Sequence, residues 1–139
     1  MSEEMVEEKE VLPHEHKKTW GKEIWFENNE LYCGKLLCIY SEEWSSGGNF
    51  HYHKIKDETF YIICGSLRLD VEIDGTIRSL ILETGSSFRV KSGVKHRFKS
   101  ASPSNACEFI EVSTTHRDDD SYRCYWDHNE QKWMETDSF

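Results

Sequence analysis

The amino-acid sequence predicts an all-β protein, either a β-sandwich or a small barrel. Eight short segments are rich in the Ile, Val, Leu, Phe and Tyr residues that favour strands. Residues that favour turns separate these segments at short intervals, and no long stretch has the apolar periodicity of a helix. The 139 residues are enough for one domain.

The predicted strands follow one another closely along the chain: residues 23–27, 32–40, 59–64, 66–73, 77–82, 87–90, 96–99 and 106–113. The residues that favour turns stand between them: Asn28 and Asn29, the run 45–48, Asp74 and Gly75, Thr84 and Gly85, and Ser92 and Gly93. The pair Asp74 and Gly75 is the clearest of these signals, because a type I′ hairpin turn requires positive φ angles at both central residues. We therefore expect a hairpin between the fourth and fifth predicted strands.

Both ends of the chain are polar. The first ten residues include five glutamates and no apolar segment, so residues 1–13 are predicted to form a solvated acidic tail and not a signal peptide. Residues 14–123 are predicted to form the domain. Residues 124–139 are predicted to form a C-terminal arm, in which Tyr125, Trp126 and Trp133 pack a short helix or an extended segment against the domain.

The charge and the cysteine content indicate which partners and which cellular location to expect. The chain has 17 basic and 26 acidic residues, a net charge of −9 that repels nucleic-acid phosphates and anionic lipid. No apolar run approaches the roughly 20 residues of a transmembrane helix. The five cysteines are scattered without a CxxC pair, which is typical of a reduced protein. We expect no nucleic-acid partner, no membrane association and a cytoplasmic location.

A group of potential metal ligands lies in the middle of the sequence. His51 and His53 point to the same face of a strand, because side chains alternate along it. After a turn, Glu58 opens the next strand, and His96 begins another strand further along. Three imidazoles and a carboxylate suit zinc, manganese, iron, cobalt or nickel. We expect one divalent metal ion here, with zinc or manganese favoured, and we expect the second HxH pair, at His14 and His16, to be solvated.

This spacing resembles the two motifs of the cupin family. The first motif, G(x)5HxH(x)3–4E(x)6G, fits at His51, His53, Glu58 and Gly65, with Gly48 shifted in the preceding loop. The second motif, G(x)5PxG(x)2H(x)3N, fits at Gly85, Gly93 and His96, with Lys91 in place of its proline and Ser100 in place of its asparagine. The resemblance implies a double-stranded β-helix, or jelly-roll, of two sheets that is commonly a homodimer.

A narrower resemblance covers about residues 18–123. The chain is similar to the cupin isomerase domain of type II phosphomannose isomerases and to small stand-alone sugar-isomerase cupins. The matching residues are Trp20 and Gly21, Lys35, and the runs 90–97, 110–112 and 118–123. This resemblance implies a metal-dependent aldose–ketose isomerase that acts on a sugar or sugar phosphate through an enediolate, in the mannose/fructose or lyxose/xylulose series.

The resemblance also implies three catalytic residues. Glu111 is the expected base, since a dry barrel raises the pKa of a carboxyl group, and the alternative is an exposed strand carboxylate. Lys35 would hydrogen-bond the enediolate oxygens or a phosphate if its face of the strand points inward. Arg123 would bind an anionic group, or else form a salt bridge to the acidic run 118–120, which is expected to be a solvated turn.

Other functions are compatible with the same ligands. A metal-dependent dioxygenase would use the same histidines and glutamate, but the match at Trp20, Lys35 and Arg123 belongs to the sugar isomerases. A sugar-nucleotide epimerase or isomerase of the cupin type would not need Glu58 as a ligand. A non-enzymatic cupin that binds a small molecule is the third alternative.

Overall fold

The computed structural model describes residues 13–40, 42–102 and 105–136. These residues form twelve strands: β1 (His14–Lys18), β2 (Gly21–Asn28), β3 (Cys33–Ile39), β4 (Phe50–Tyr52), β5 (Glu58–Cys64), β6 (Leu67–Ile73), β7 (Thr76–Leu82), β8 (Ser87–Val90), β9 (His96–Ser100), β10 (Cys107–Ser113), β11 (Tyr122–Asp127) and β12 (Lys132–Thr136). No helix occurs within the described ranges, so the all-β prediction is confirmed. Accordingly, nothing in these ranges has the length and apolar character of a membrane-spanning helix.

The strands form two antiparallel sheets of six. The first sheet has the order β1-β2-β3-β10-β5-β8, and the second has the order β12-β11-β4-β9-β6-β7. The central strand β10 lies between β3 and β5, and β9 lies between β4 and β6, so strands distant in sequence are neighbours in both sheets. These crossovers and the two packed sheets are those of a jelly-roll barrel, as predicted.

The apolar core lies between the two sheets. Side chains of β9 and β10 alternate between buried and half-buried, which is the period of strands with one face in a core. Phe60, Phe98 and Phe109 come from both sheets, and their ring centroids lie 4.9 to 5.8 Å apart. Edge-to-face contacts of this kind add to the free energy gained by burial. Leu37 and Phe98 also line the cavity described below, so the core supports the site from beneath.

Two turns show why glycine is needed at particular positions of the sequence. Between β6 and β7, Asp74 and Gly75 have φ angles of 51° and 79°, so the predicted hairpin and its positive φ angles are confirmed. Gly65, the last residue of the first motif, has a φ of 78°, and a Cβ atom there would lie 2.4 Å from the carbonyl oxygen of Ala106. Only glycine therefore fits at this position without a shift of the backbone.

The C-terminal segment adds two strands to the second sheet. Residues of β11 pair with β4, and β12 pairs with β11 in a hairpin. Trp133 makes an edge contact with Trp126 across the hairpin, and its Nε1–H donates to Glu72 at 2.8 Å. The described part of the predicted arm is therefore a β-hairpin and not a helix. The predicted acidic tail lies outside the described residues except for Pro13.

Asp70 is a buried carboxylate on β6 that provides a test of the fold. It is 2% exposed and accepts hydrogen bonds from Ser79 Oγ at 2.7 Å, Arg97 Nε at 3.0 Å and Arg68 Nε at 3.2 Å. Burial alone would raise the pKa of Asp70, but these hydrogen bonds outweigh it and lower the pKa below its usual value. The ionised carboxylate therefore stabilises the folded state at pH values above the unfolded pKa of about 3.9, and this contribution is lost as the pH falls.

We expect Asp70→Asn to lower the free energy of unfolding by about 2 kcal/mol at pH 7. Urea denaturation of both proteins at several pH values between 7 and 3 measures this difference. The difference should shrink below pH 4, where the wild-type carboxylate becomes protonated. An equal difference at pH 7 and pH 3 would contradict a role for the charge.

Candidate active site

A cavity of about 570 Å³ opens between the two sheets. Six of the seven predicted site residues line it: Lys35, His51, His53, Glu58, Glu111 and Arg123. The seventh, His96, is fully buried beside the cavity, and its ring centroid is 4.1 Å from that of His51. The structure therefore brings residues from six different strands and one loop to the same place.

His51, His53 and His96 form a cluster that can hold a metal ion. One ring nitrogen from each lies within 4.8 Å of the others. His51 is on β4, His53 follows the end of that strand on the same face, and His96 pairs with His51 across β4 and β9. The alternation of side chains along β4 and the register of β9 together produce this cluster.

Hydrogen bonds on the outer side fix the orientation of these rings. The Nδ1–H of His53 donates to the carbonyl of Asp120 at 2.6 Å, and the Nδ1–H of His96 donates to the carbonyl of Val94 at 2.9 Å. His51 Nδ1 lies 3.0 Å from Ser46 Oγ. With Nδ1 as the donor to these carbonyl groups, Nε2 of His53 and His96 is the nitrogen that lies toward Glu58, where a metal ion would bind.

The two histidines of the HxH pair are neutral at neutral pH. Burial lowers the pKa of His51 well below its ordinary value, and the neighbouring histidines lower it further. Burial also lowers the pKa of His53 to about 4, although Glu58 opposes this. A neutral imidazole is the form of histidine that binds metal ions.

Glu58 completes a donor set that fits a divalent cation. Its Oε1 lies 3.1 Å from His96 Nε2, and its Oε2 lies 3.8 Å from His53 Nε2. Burial opposes ionisation of Glu58, but Lys56 and His96 outweigh it and hold its pKa well below the usual range. Among the described residues, His96 Nε2 is buried without a hydrogen bond, and Glu58 Oε2 is buried with the ammonium of Lys56 as its only close polar neighbour besides the histidines. A cation bound between them would satisfy both atoms, so the residues fit a metal ion.

Lys56 is a site residue that the sequence motifs do not predict. Its Nζ is 3.1 Å from Glu111 Oε2 and 3.2 Å from Glu58 Oε2, and the side chain is buried. Burial lowers the pKa of Lys56, but the two carboxylates outweigh it and raise the pKa above its ordinary value. Its position two residues before Glu58 could have indicated that Lys56 lies at the site, since residues i and i+2 share a face where the chain is extended.

Glu111 and Lys35 lie side by side on β10 and β3. They are register partners, and Lys35 Nζ is 3.9 Å from Glu111 Oε2. Both side chains are buried at the cavity. Burial and the nearby Glu58 raise the pKa of Glu111 above its usual value, although Lys56 and Lys35 oppose this. The cavity therefore contains a carboxyl group whose basicity is increased.

Asp120 holds the loop that carries the site. It was expected in a solvated turn, and that prediction is wrong for this residue, which is 3% exposed. Its carboxylate accepts hydrogen bonds from the backbone N–H groups of Lys54, Ile55 and Lys56 at 2.8 to 3.2 Å. These groups precede β5 and have no strand partner, so they need another acceptor. Because its carbonyl also accepts from His53, Asp120 positions both sides of the site.

The rim of the cavity is aromatic and charged. Trp20 and Trp25 line it, together with His16 and His116. The ring of His16 lies 4.3 Å from that of Trp25, so this histidine is half-buried and not fully solvated, whereas His14 is exposed as predicted. The cause is that residues 14–18 form a strand, β1, which pairs with β2 and places His16 against Trp25.

The fold is a small jelly-roll barrel, and its cavity contains a histidine cluster that can hold a metal ion. The family model described as Cupin domain matches residues 37–113, and the chain belongs to this family. A search of curated proteins finds no match to the sequence.

Solved structures of the same fold include three from bacteria. KdgF from Halomonas sp. is 17% identical with a TM-score of 0.60, covering 76% of this chain and 89% of KdgF. Oxalate decarboxylase from Bacillus subtilis is 17% identical with a TM-score of 0.68, covering 80% of this chain and 30% of that protein. Hydroxypropylphosphonic acid epoxidase from S. wedmorenis is 13% identical with a TM-score of 0.62, covering 76% and 56%. At these identities the likeness shows the fold alone.

Proposed function

We propose that this cupin is a metal-dependent aldose–ketose isomerase that acts on a sugar or sugar phosphate of the mannose/fructose or lyxose/xylulose type. One observation carries the proposal: the three-histidine cluster shares a cavity with the buried Glu111, which lies between Lys35 and Lys56. An isomerase of this type needs a cation for the substrate oxygens and a base for the carbon-bound proton. The motif resemblance to sugar-isomerase cupins at Trp20, Lys35 and Arg123 favours the same reaction.

His51, His53, Glu58 and His96 would hold one divalent ion, with zinc or manganese favoured by the mixed nitrogen and oxygen donors. When bound, the ion supplies Lewis-acid stabilisation of negative charge on the substrate oxygens. Asp120 and Val94 keep the ligand rings in position through their carbonyl groups.

The protein residues move the proton. Glu111 removes the proton from the carbon beside the carbonyl group, and the electron pair of that C–H bond forms the double bond of the enediolate. The π electrons of the carbonyl group move to its oxygen. Glu111 then returns the proton to the former carbonyl carbon, while the hydroxyl proton on the other carbon passes to that oxygen and the new carbonyl group forms. The ammonium groups of Lys35 and Lys56, which are both buried beside Glu111, donate hydrogen bonds to the oxygen that becomes negatively charged.

The cavity suits a small polyhydroxylated substrate. Its volume is within the usual range for ligand sites, and its lining is rich in charged and polar groups. Trp20 and Trp25 add apolar ring atoms to this lining. Arg123 lines the same cavity, and we assign to it the binding of an anionic group of the substrate.

Isomerisation in D2O tests the proposal. The purified protein, loaded with manganese or zinc, should convert mannose, lyxose or their phosphates to the ketose with deuterium at C1 or C2, because the proton held by Glu111 exchanges with solvent. Mass spectrometry and NMR of the product measure the incorporation. Protein treated with a chelator is the control and should be inactive. Oxygen consumption without an isomerised sugar would contradict the proposal and favour a dioxygenase.

A further inference from the structure

We propose that His116 and Lys35 form a second acid–base pair in the cavity, which opens the ring of a cyclic aldose. The substrate class rests on the proposed function, but the activity is a separate one: the interconversion of sugar anomers. An aldose in water is mainly a cyclic hemiacetal, whereas an enediolate forms only from the open chain. An isomerase therefore gains from opening the ring in the same cavity.

The geometry of the pair is that of an oriented acid and base. Lys35 Nζ lies 3.1 Å from His116 Nδ1, and His116 Nε2 lies 3.1 Å from Asp118 Oδ1. The side chains become progressively more accessible, with exposed fractions of 4% for Lys35, 15% for His116 and 98% for Asp118. All three residues line the cavity.

The neighbours of His116 determine its tautomer. An ammonium group only donates, so Nδ1 must accept the hydrogen bond from Lys35, and the ring proton is on Nε2, where it is donated to Asp118. Burial lowers the pKa of His116, and the nearby Lys35 and Lys56 lower it further, so the ring is neutral at neutral pH. Nδ1 is thus the basic nitrogen of the pair. The anomeric hydroxyl reaches its lone pair by displacing the hydrogen bond from Lys35, which then turns to the ring oxygen, and Asp118 accepts from the imidazolium that forms.

Contacts on two sides hold the ring in place. Trp25 makes an edge contact with His116 at 4.5 Å and also lies 4.2 Å from Lys35 Nζ, so one indole supports both groups. The backbone N–H of His116 donates to Asn28 Oδ1 at 2.9 Å, and Thr115 Oγ1 donates to the carbonyl of Asn29 at 2.8 Å. The loop that carries His116 is therefore fastened to the end of β2.

The ring-opening step balances with these two groups. His116 Nδ1 takes the proton of the anomeric hydroxyl while the bond between C1 and the ring oxygen breaks. The electron pair of that bond goes to the ring oxygen, which receives a proton from Lys35 Nζ. The products are the open-chain aldehyde, an imidazolium and a neutral amine. Because Nδ1 and Nζ are neighbours, the imidazolium then returns its proton to the amine, and both groups are restored.

Mutarotation measures this activity without isomerisation. Polarimetry should show that the purified protein speeds the approach of freshly dissolved α-D-mannose or α-D-lyxose to anomeric equilibrium, with or without a chelator. We expect His116→Gln and Lys35→Met to lower the catalysed rate by about 100-fold. Asp118→Asn should lower it by about tenfold or more, and this variant changes only an exposed side chain. The matched control is Asp119→Asn, since Asp119 is exposed and contacts Arg117 instead.

Each outcome decides between the two proposals. A protein that isomerises a sugar but does not accelerate mutarotation of either aldose overturns the ring-opening role and leaves the isomerase proposal intact. A protein that accelerates mutarotation but isomerises no sugar overturns the isomerase proposal and leaves the ring-opening role intact. A mutarotation rate that is the same in the wild type and in folded His116→Gln and Asp118→Asn variants also overturns the role of this pair.

Discussion

Replacement of His53 or Glu58 by alanine should remove most of the bound metal ion and lower isomerase activity by more than about 100-fold. Glu58 has one oxygen 3.8 Å from His53 Nε2 and the other 3.1 Å from His96 Nε2, and the ring nitrogens of the three histidines lie within 4.8 Å of one another. Removal of one donor leaves too few ligands to hold the ion. The remaining donor atoms are then buried without the ion as their partner. Elemental analysis of the purified variants measures the metal content directly.

The variants should remain folded, because these ligands line the cavity and the apolar cluster around Phe60 and Phe109 is unchanged. Circular dichroism should give the same β spectrum as the wild type. His14→Ala is a matched control, since His14 also belongs to an HxH pair but is exposed on β1. A stoichiometric metal ion in the His53→Ala, Glu58→Ala double variant would show that the ion binds elsewhere.

The parts of the fold that the sequence predicts are those set by local rules. The alternation of strand side chains places His51 and His53 on one face, whatever the rest of the chain does. Turn chemistry at Asp74 and Gly75 predicts the hairpin, and the requirement for positive φ explains Gly65. These signals act over a few residues and do not depend on the packing of distant segments.

The parts that the sequence does not predict depend on contacts between distant segments. Asp120 binds the backbone of Lys54, Ile55 and Lys56 across more than 60 residues of sequence, so nothing near Asp120 reveals its partner. His116 likewise acquires its role only when its loop is fastened to Asn28. The hairpin of β11 and β12 is not predicted from the sequence, because charged residues between its aromatic residues obscure the alternation that is typical of strands.

The buried charges of the cavity indicate that it is a functional site. Lys35, Lys56, Glu58 and Glu111 are all buried in one small volume. Desolvation of four charged groups costs several kcal/mol each, and their pairing returns only part of this. A barrel of this size would be at least as stable with apolar residues in their places. A binding or catalytic role therefore explains the group better than a role in folding does.

Replacement of Glu111 by glutamine provides the second decisive test. The change keeps the size of the side chain and its position beside Lys35 and Lys56 but removes the basic carboxylate. If Glu111 transfers the carbon-bound proton, kcat should fall by about 10²- to 10⁴-fold, while KM changes little. The metal content should be unchanged, because Glu111 is not one of the proposed ligands. Deuterium incorporation from D2O should fall in parallel with kcat.

Glu108→Gln is the matched control for this change. Glu108 lies on the same strand but on the outer face, where it accepts a hydrogen bond from Cys38 Sγ at 3.4 Å, so its replacement should leave kcat unchanged. Thermal unfolding of both variants separates a loss of catalysis from a loss of stability. A folded, metal-loaded Glu111→Gln protein that retains kcat within tenfold of the wild type would show that another group in the cavity transfers the proton.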